Sequence, residues 1–342
     1  MYRNVRQAVI MVGGMGTRLR PLTNTRPKPI LPVADKPCLG YLIDSFVRGG
    51  IEEIYLACGY RSKQLMDTIG DGSDRGISIK YSFEDTPLGT GGAIKLLEDV
   101  LDDVFVAANG DVFADVDLKK EIDVHLDNSA DITLALTPVD NPWEFGTAVQ
   151  DDTGRIVRFM EKPRKEDVIS DMINAGIYVV NKDMISYIPK DEPYDFSKDL
   201  VPMKTDEGCR IWGHRLDGIW MDVGRRSDLI RANMTVASGA ERGPMKFVTE
   251  SKVSGTLYLG NNASVTGSDV EDAVVMKGAA IVNSKMKNSV IMPGSIVDGA
   301  TVIDSVIGEN TVVRRGAVIR NSLIGDGEIV AANTTVEGRE GA

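Results

Sequence analysis

Apolar residues recur along this chain in two different rhythms. Over the first two-thirds, short continuous apolar runs alternate with stretches of helical spacing. Residues 8–12 form such a run, close on glycines and read as a buried parallel strand. Residues 37–48 have helical spacing and end at Gly49-Gly50, a C-cap signal. Strands are expected at 54–57, 77–83, 104–108 and 132–136, with helices at 91–101 and 118–126. This βαβα order predicts a doubly wound α/β sheet whose ligand crevice lies at the C-terminal ends of its strands. Residues 147–150 and 156–159 flank Asp151-Asp152-Thr153-Gly154 and predict a hairpin. Further strands are expected at 174–180 and 211–220, then a helix at 226–237. Residues 238–244 are short, polar and glycine-containing, as a linker would be.

The second rhythm fills the last ninety or so residues, where segments align at a period of 16 or 17 from Leu257, Ala273, Ser289, Ser305 and Ser322. Leu259, Val275, Ile291, Ile307 and Ile324 share one position; Val265, Ile281, Val297, Val313 and Val330 share another, six residues on. Gly260, Gly308 and Gly325 fall at one turn. Small apolar residues about every six positions predict a parallel β-helix, with an ordinary β-sandwich as the alternative. The expected division is a domain over 1–237, a linker over 238–250 and a repeat domain over 251–342.

Composition adds limits. A chain of 342 residues exceeds what one core usually supports. No stretch approaches the roughly 18 apolar residues of a membrane span, and the polar start argues against a signal peptide. Cys38, Cys58 and Cys209 are widely spaced, giving no zinc or disulfide pattern; they are expected to be buried thiols of a cytoplasmic protein. The net charge of −11 disfavours nucleic acid and anionic membranes. Yet Arg3, Arg6, Arg18, Arg20, Arg26 and Lys28 crowd the first 34 residues with no acidic one, which suggests a small polyanionic ligand.

The first strand runs into Gly13-Gly14-Met15-Gly16-Thr17-Arg18-Leu19-Arg20. Glycines let backbone N–H groups approach phosphate oxygens. Leu19 stands where the dinucleotide fingerprint needs a third glycine, and the GK[ST] of a P-loop is missing. Arg18 adds a forked cation and Lys28 a point charge, the latter held between Pro27 and Pro29 on a backbone expected to be extended. The whole segment reads as a triphosphate clamp.

GGMGTRLRPLT followed by PKP resembles the signature of the sugar-nucleotide pyrophosphorylases, nucleotidyltransferases with a Rossmann-like mixed sheet. The repeats resemble the left-handed parallel β-helix that many of them carry. Pro87-Leu88-Gly89-Thr90, Asn174-Ala175-Gly176-Ile177-Tyr178 and Met221-Asp222-Val223-Gly224 are most similar to the mannose-1-phosphate guanylyltransferases. The resemblance implies that a nucleoside triphosphate and a sugar 1-phosphate give an NDP-sugar and pyrophosphate. It assigns Gly13, Gly14, Gly16, Thr17, Arg18, Lys28, Leu88, Gly89, Thr90, Gly110 and Asp111 to the nucleotide. Gly146, Glu161, Lys162 and Asn174 fall to the sugar phosphate, and Asp111 with Asp222 to Mg²⁺. Taken singly, each aspartate also reads as a turn or cap residue, Glu161-Lys162 as a charged pair at a strand end, and Thr90 as the cap of a helix.

His125 and His214 are expected to be structural, and the reaction needs no histidine base. A phosphate monoester with a second pKa near 6 is already largely dianionic. Catalysis would be charge neutralisation and in-line positioning by Arg18, Lys28, Asp111 and Lys162. No histidine follows His214, which speaks against a second, acyl-transferring activity of the repeats. Glucose-1-phosphate uridylyl- and thymidylyltransferases remain the nearest alternatives, with a non-catalytic, NDP-sugar-binding regulatory subunit as one of another class. A homo-oligomer assembled through the β-helix is expected.

Overall fold

The computed structural model describes residues 5–14, 16–59, 62–240 and 247–340. Met15 of the glycine loop and residues 241–246 of the expected linker lie outside them. The chain gathers into two compact units, Met1–Gly13 with Leu39–Trp220, and Gly14–Cys38 with Met221–Ala342.

The first unit is built on a nine-stranded sheet. Strands β1 (Gln7–Met11), β2 (Glu53–Cys58), β3 (Ser78–Phe83) and β4 (Val104–Asn109) run parallel in the order β3-β2-β1-β4. Strand β1 is buried along its length, as its apolar run from Ala8 onward requires. The chain winds to one side of β1 and then returns to the other, so the switch point lies between β1 and β4. Strand β5 (Val112–Val116), unforeseen in the sequence, leaves this sheet. Then follow β6 (Ile132–Pro138), β7 (Gly146–Gln150), β8 (Ile156–Glu161), β9 (Met172–Asn181) and β10 (Ile211–Arg215). Strand β9 is antiparallel to β4, β6 and β7, so the sheet is mixed.

The helices of this unit are α1 (Cys38–Arg48), α2 (Ser62–Ile69), α3 (Gly89–Lys95), α4 (Leu118–Asp127) and α5 (Val201–Asp206). The helix expected at 91–101 is therefore α3 followed by a separate one-turn 3-10 helix, Glu98–Val100. The single strand expected at 211–220 is two: β10 ends at Arg215 and β11 (Gly218–Asp222) joins a different sheet. The break is fixed at Gly218, whose φ of 124° suits glycine and whose Cβ would lie 2.3 Å from the Asp115 carbonyl oxygen. Phe105, Leu134, Tyr178 and Phe196 centre the core. Cys38 and Cys58 are buried as expected, whereas Cys209 is only half-buried against that core. Burial pushes the Cys58 thiol up to about 12, which keeps it inert.

The second unit holds the repeats, which coil as the left-handed β-helix expected. Three sets of short strands stack in parallel: Leu259, Val275, Ile291, Ile307 and Ile324 pair in register in one. Val265, Ile281, Val297, Val313 and Val330 do so in a second, and Val270, Met286, Val302 and Ile319 in a third. All three project into one apolar core, and their parallel pairing rules out the antiparallel β-sandwich. Asn283, Asn288, Asp304, Asn310 and Asn321 take left-handed corners, where a short polar side chain is tolerated. Buried serines replace missing ladder bonds: Ser305 N donates to Ser289 Oγ (3.3 Å), and Ser322 N to Ser305 Oγ (3.1 Å). Helix α6 (Arg226–Gly239) packs on three of the strands, Lys252–Leu259, Asp269–Val275 and Lys285–Ile291. No helix among the described residues is long and apolar enough to cross a membrane.

Candidate functional site

At the switch point, β1 runs through Val12 into exposed Gly13, and β4 into the Gly110-Asp111 turn. Gly110 N donates to the Met11 carbonyl at 2.8 Å, and a Cβ on Gly110 would lie 2.4 Å from Val12 Cγ1. Only glycine lets the two strand ends approach so closely. The half-exposed Asp111 is thereby set in the turn between β4 and β5.

The Leu88-Gly89-Thr90 segment is held from two sides. Leu88 N donates to Glu84 Oε2 at 3.0 Å. Gly91 N donates to the Tyr194 carbonyl at 2.8 Å, and Tyr194 N returns a bond to Leu88 O at 2.9 Å. Gly89 takes a φ of 72° beneath Tyr194, where a Cβ would meet the carbonyl oxygen at 2.7 Å. Thr90 is not the helix cap considered above: it lies inside α3, and its Oγ1 accepts from Phe196 N at 2.8 Å. Glu84 and Tyr194 escaped the sequence reading, because each acts through contacts that no local pattern records.

The four expected sugar-phosphate residues flank the β7–β8 hairpin and the bulge in β9. A Cβ on Gly146 would lie 2.5 Å from Glu161 Oε2, so glycine makes the space that the carboxylate fills. Glu161 Oε2 accepts from Ser197 Oγ at 2.7 Å, and Ser197 Oγ accepts from Asn174 Nδ2 at 3.1 Å. Asn174 Nδ2 also donates to the Tyr178 hydroxyl at 2.7 Å, while its Oδ1 accepts from Gly176 N at 3.0 Å. Gly176 has φ 71° and leaves no room for a side chain beside Asn109. Exposed Lys162 follows with φ 46°, rare for a lysine, and donates its N–H to the Phe145 carbonyl at 3.0 Å. Trp220 closes one flank: its ring stands edge-on to Phe145 at 6.0 Å, and its Nε1 donates to the Ala175 carbonyl at 2.8 Å. Ser197 and Trp220 are likewise additions to the expected set.

In the second unit the rest of the glycine loop meets the end of β11. Gly16 takes φ 59°, and a Cβ there would crowd Lys28 Cβ at 3.0 Å and Thr23 Cγ2 at 3.1 Å. Thr17 and Arg18 are exposed in a one-turn 3-10 helix. Lys28 is buried, and its Nζ lies 3.3 Å from Asp222 Oδ1. Its backbone is not extended as expected: only Pro27 is, and Lys28 opens a 3-10 turn closed by Leu31 N donating to Lys28 O at 3.0 Å. Pro29, lacking an N–H, suits the first turn of such a helix. Gly224 keeps clear the space between Asp222 Oδ2 and Arg18 Nη1, which a Cβ would approach to 3.1 and 3.4 Å. The basic run is partly neutralised, since Arg6 pairs with Asp102, and Arg26 with Glu309 and Asp326.

The structure thus groups Gly16, Arg18, Lys28 and Asp222 in one unit, and Gly146, Glu161, Asn174 and Lys162 in the other. The histidines stand apart. His125 is buried between Thr133 (3.1 Å) and Asn181 (3.2 Å), and His214 lies 2.7 Å from Glu121. A cavity of about 470 Å³ lined by Ser45, Arg48, Asp115, Asp117 and Asp217 includes none of the expected residues.

The family model for nucleotidyl transferases matches residues 7–239, from β1 to the end of α6. The chain belongs to the nucleotidyl transferase family. It is an enzyme, and its relatives carry related names. It is 36% identical to the mannose-1-phosphate guanylyltransferase of Mycobacterium tuberculosis, over 80% of this chain and 79% of that one. It is 30% identical to the UTP–glucose-1-phosphate uridylyltransferase of Synechocystis sp., over 78% and 71%. The solved structure of HddC from Yersinia pseudotuberculosis complexed with GMP-PN superposes with a TM-score of 0.57 at 28% identity, covering 68% of this nucleotidyl transferase and all of HddC.

Proposed function

We propose that this enzyme transfers a guanylyl group from GTP to mannose 1-phosphate in the cytoplasm, forming GDP-mannose and pyrophosphate. It is a sugar-1-phosphate nucleotidyltransferase, with the catalytic domain assigned to residues 1–237 and the repeat domain to 251–342. The observation that carries the reading is the grouping of Arg18, buried Lys28 and Asp222 beside Gly16 and Gly224. The guanine preference is supported by the guanylyltransferases among the relatives, those of Mycobacterium tuberculosis and Saccharomyces cerevisiae included.

A phosphate oxygen of the sugar 1-phosphate attacks the α-phosphorus of the triphosphate. The bond from that phosphorus to the bridging oxygen breaks, and pyrophosphate leaves with the electron pair. Nucleophile and electrophile are both anionic, so the protein's work is to hold them together and in line. Arg18 and Lys28 are assigned to the departing phosphates, with the N–H groups of Gly13, Gly14, Gly16 and Thr17 beside them. Lys162, exposed on its strained backbone, is assigned to the sugar phosphate, Glu161 to a sugar hydroxyl and Gly146 to a backbone contact. Asn174, whose amide also braces Ser197 and the bulge, is assigned to another sugar hydroxyl. Leu88, Gly89 and Thr90 present backbone groups to base and ribose, and Gly110 gives Asp111 its place.

Asp111 and Asp222 are the residues that would hold Mg²⁺. Their carboxylates are the hard donors it prefers, and Gly224 leaves clear the space beside Asp222. When bound, the ion would neutralise phosphate charge in the transition state. Copies of the chain are assigned to associate through the β-helix.

The test is NDP-sugar formation with Mg²⁺ and pyrophosphatase, crossing GTP, UTP, dTTP and ATP against mannose, glucose and N-acetylglucosamine 1-phosphates. GTP with mannose 1-phosphate is expected to give the highest kcat/KM. A preference for UTP with glucose 1-phosphate, the pair for which the Synechocystis relative is named, or for dTTP with glucose 1-phosphate, would retain the mechanism and overturn the substrate pair.

A further inference from the structure

The segment that carries Arg18 and Lys28 is tied at both flanks to the repeat domain. On one side, Arg26 Nε and Nη2 donate to Asp326 Oδ2 at 3.1 and 2.8 Å, Nη2 also pairs with Glu309, and the Thr25 hydroxyl donates to Asp326. The other oxygen of Asp326 accepts from Glu309 N at 2.8 Å, one coil away. One carboxylate therefore joins two coils of the β-helix with one lobe and the loop with the other. Nearby, a Cβ on Gly325 would lie 3.2 Å from Pro21 Cβ, so glycine permits the contact. On the other flank, Asp35 accepts from Lys277 N at 2.8 Å and from the Tyr258 hydroxyl at 3.0 Å, and Ala34 N donates to Asn233 Oδ1 at 2.8 Å. Lys28 lies between these anchors.

A surface ion pair would be worth little. This one is different in kind, because Arg26 and Asp326 are largely buried, at 20% and 12% exposure, and the guanidinium is gripped by two carboxylates. A planar fork held in this way fixes direction as well as distance.

We propose that Glu309 and Asp326 are positioning residues of the transfer reaction, which set the placement of Arg18 and Lys28 by gripping Arg26. The repeat domain is in this sense part of the nucleotide site without touching the nucleotide. The inference rests on the proposed function, in which Arg18 and Lys28 hold the triphosphate.

The experiment uses the full chain and the near-isosteric variants Asp326→Asn and Glu309→Gln, singly and together, with Lys28→Ala in parallel. KM is measured separately for the nucleoside triphosphate and the sugar 1-phosphate, and thermal midpoints are recorded. The double variant is expected to raise the nucleotide KM about tenfold or more, to leave the sugar 1-phosphate KM within about twofold, and to remain folded. In the charge-exchanged chain, Arg26→Asp with Asp326→Arg, the nucleotide KM is expected to fall back toward wild type relative to Arg26→Asp alone. Equal rises in both KM values, or a lowered midpoint with both KM values unchanged, would overturn the proposal and leave the pair a structural brace. Should Lys28→Ala retain full activity, the failure would lie in the underlying reading of the loop.

Discussion

Lys28 is a lysine that folding alone would not choose to bury. Its side chain is 9% exposed, and its Nζ lies 3.3 Å from Oδ1 of Asp222, itself 32% exposed. Asp222 is open enough to rehydrate once the ammonium is gone, so the loss of stability is expected to be small, on the order of 1 kcal/mol. It removes a cation aimed at phosphate charge, so Lys28→Ala is expected to lower kcat/KM by roughly a hundredfold or more, with the thermal midpoint nearly unchanged. Gly146 offers a second test. An alanine there would put a methyl group 2.5 Å from Glu161 Oε2. Gly146→Ala should therefore raise the KM for sugar 1-phosphate by about tenfold through displacement of Glu161, leaving the nucleotide KM near its original value. Lys28 left a local mark in the sequence through its flanking prolines, whereas Gly146 was named only by the family resemblance. Ser197 left none: a serine in a polar stretch shows nothing of the carboxylate it will meet 36 positions away. Arg26 was legible only as charge, because which anion takes it is settled by residues some 300 positions further on.

Helix α4 and strand β10 meet through one proton-sharing contact. His214 is held above the ordinary imidazole range by its hydrogen bond to Glu121, and burial pushes the Glu121 carboxyl up as well. Glu121 Oε2 has no hydrogen-bond partner among the described residues. Both shifts are upward, so the folded chain binds more protons than the unfolded one. The His214 part of the stabilisation is present below the ordinary imidazole range and is lost as pH rises through its raised pKa, while the Glu121 part is lost lower, from the ordinary carboxylate range up through its own raised pKa. The thermal midpoint is expected to fall over these windows, and Glu121→Gln should flatten the fall; an unchanged slope would refute the assignment. In the repeats the corresponding unit of stability is the serine ladder. Ser305→Ala deprives Ser322 N of its acceptor and should cost about 1–3 kcal/mol in denaturant unfolding. The repeat period was readable because each coil must present small apolar residues inward at the same step. The break between β10 and β11 was not, because it depends on where Gly218 meets Asp115.

At the scale of the whole molecule, the two compact units do not follow the chain in order. Residues 14–38 belong with 221–342, although nearly two hundred residues of the other unit intervene. A chain ending after residue 240 would lose Tyr258, Lys277, Glu309 and Asp326 as anchors. Its 14–38 segment is expected to be cut readily by protease under conditions that spare the full chain. The two rhythms of the sequence announced two architectures, but periodicity is a local property and says nothing about which early segment a late one will claim.

The same interleaving has a consequence for synthesis. Arg26 leaves the ribosome some 300 residues before Asp326. Until then the loop that carries Lys28 lacks this half of its mooring, and closing so long an intervening chain is entropically costly. Competence to grip a nucleotide should thus arrive late in folding, after the first unit has its sheet. A nascent or truncated chain would be kept from sequestering nucleoside triphosphates by the order in which its contacts become available.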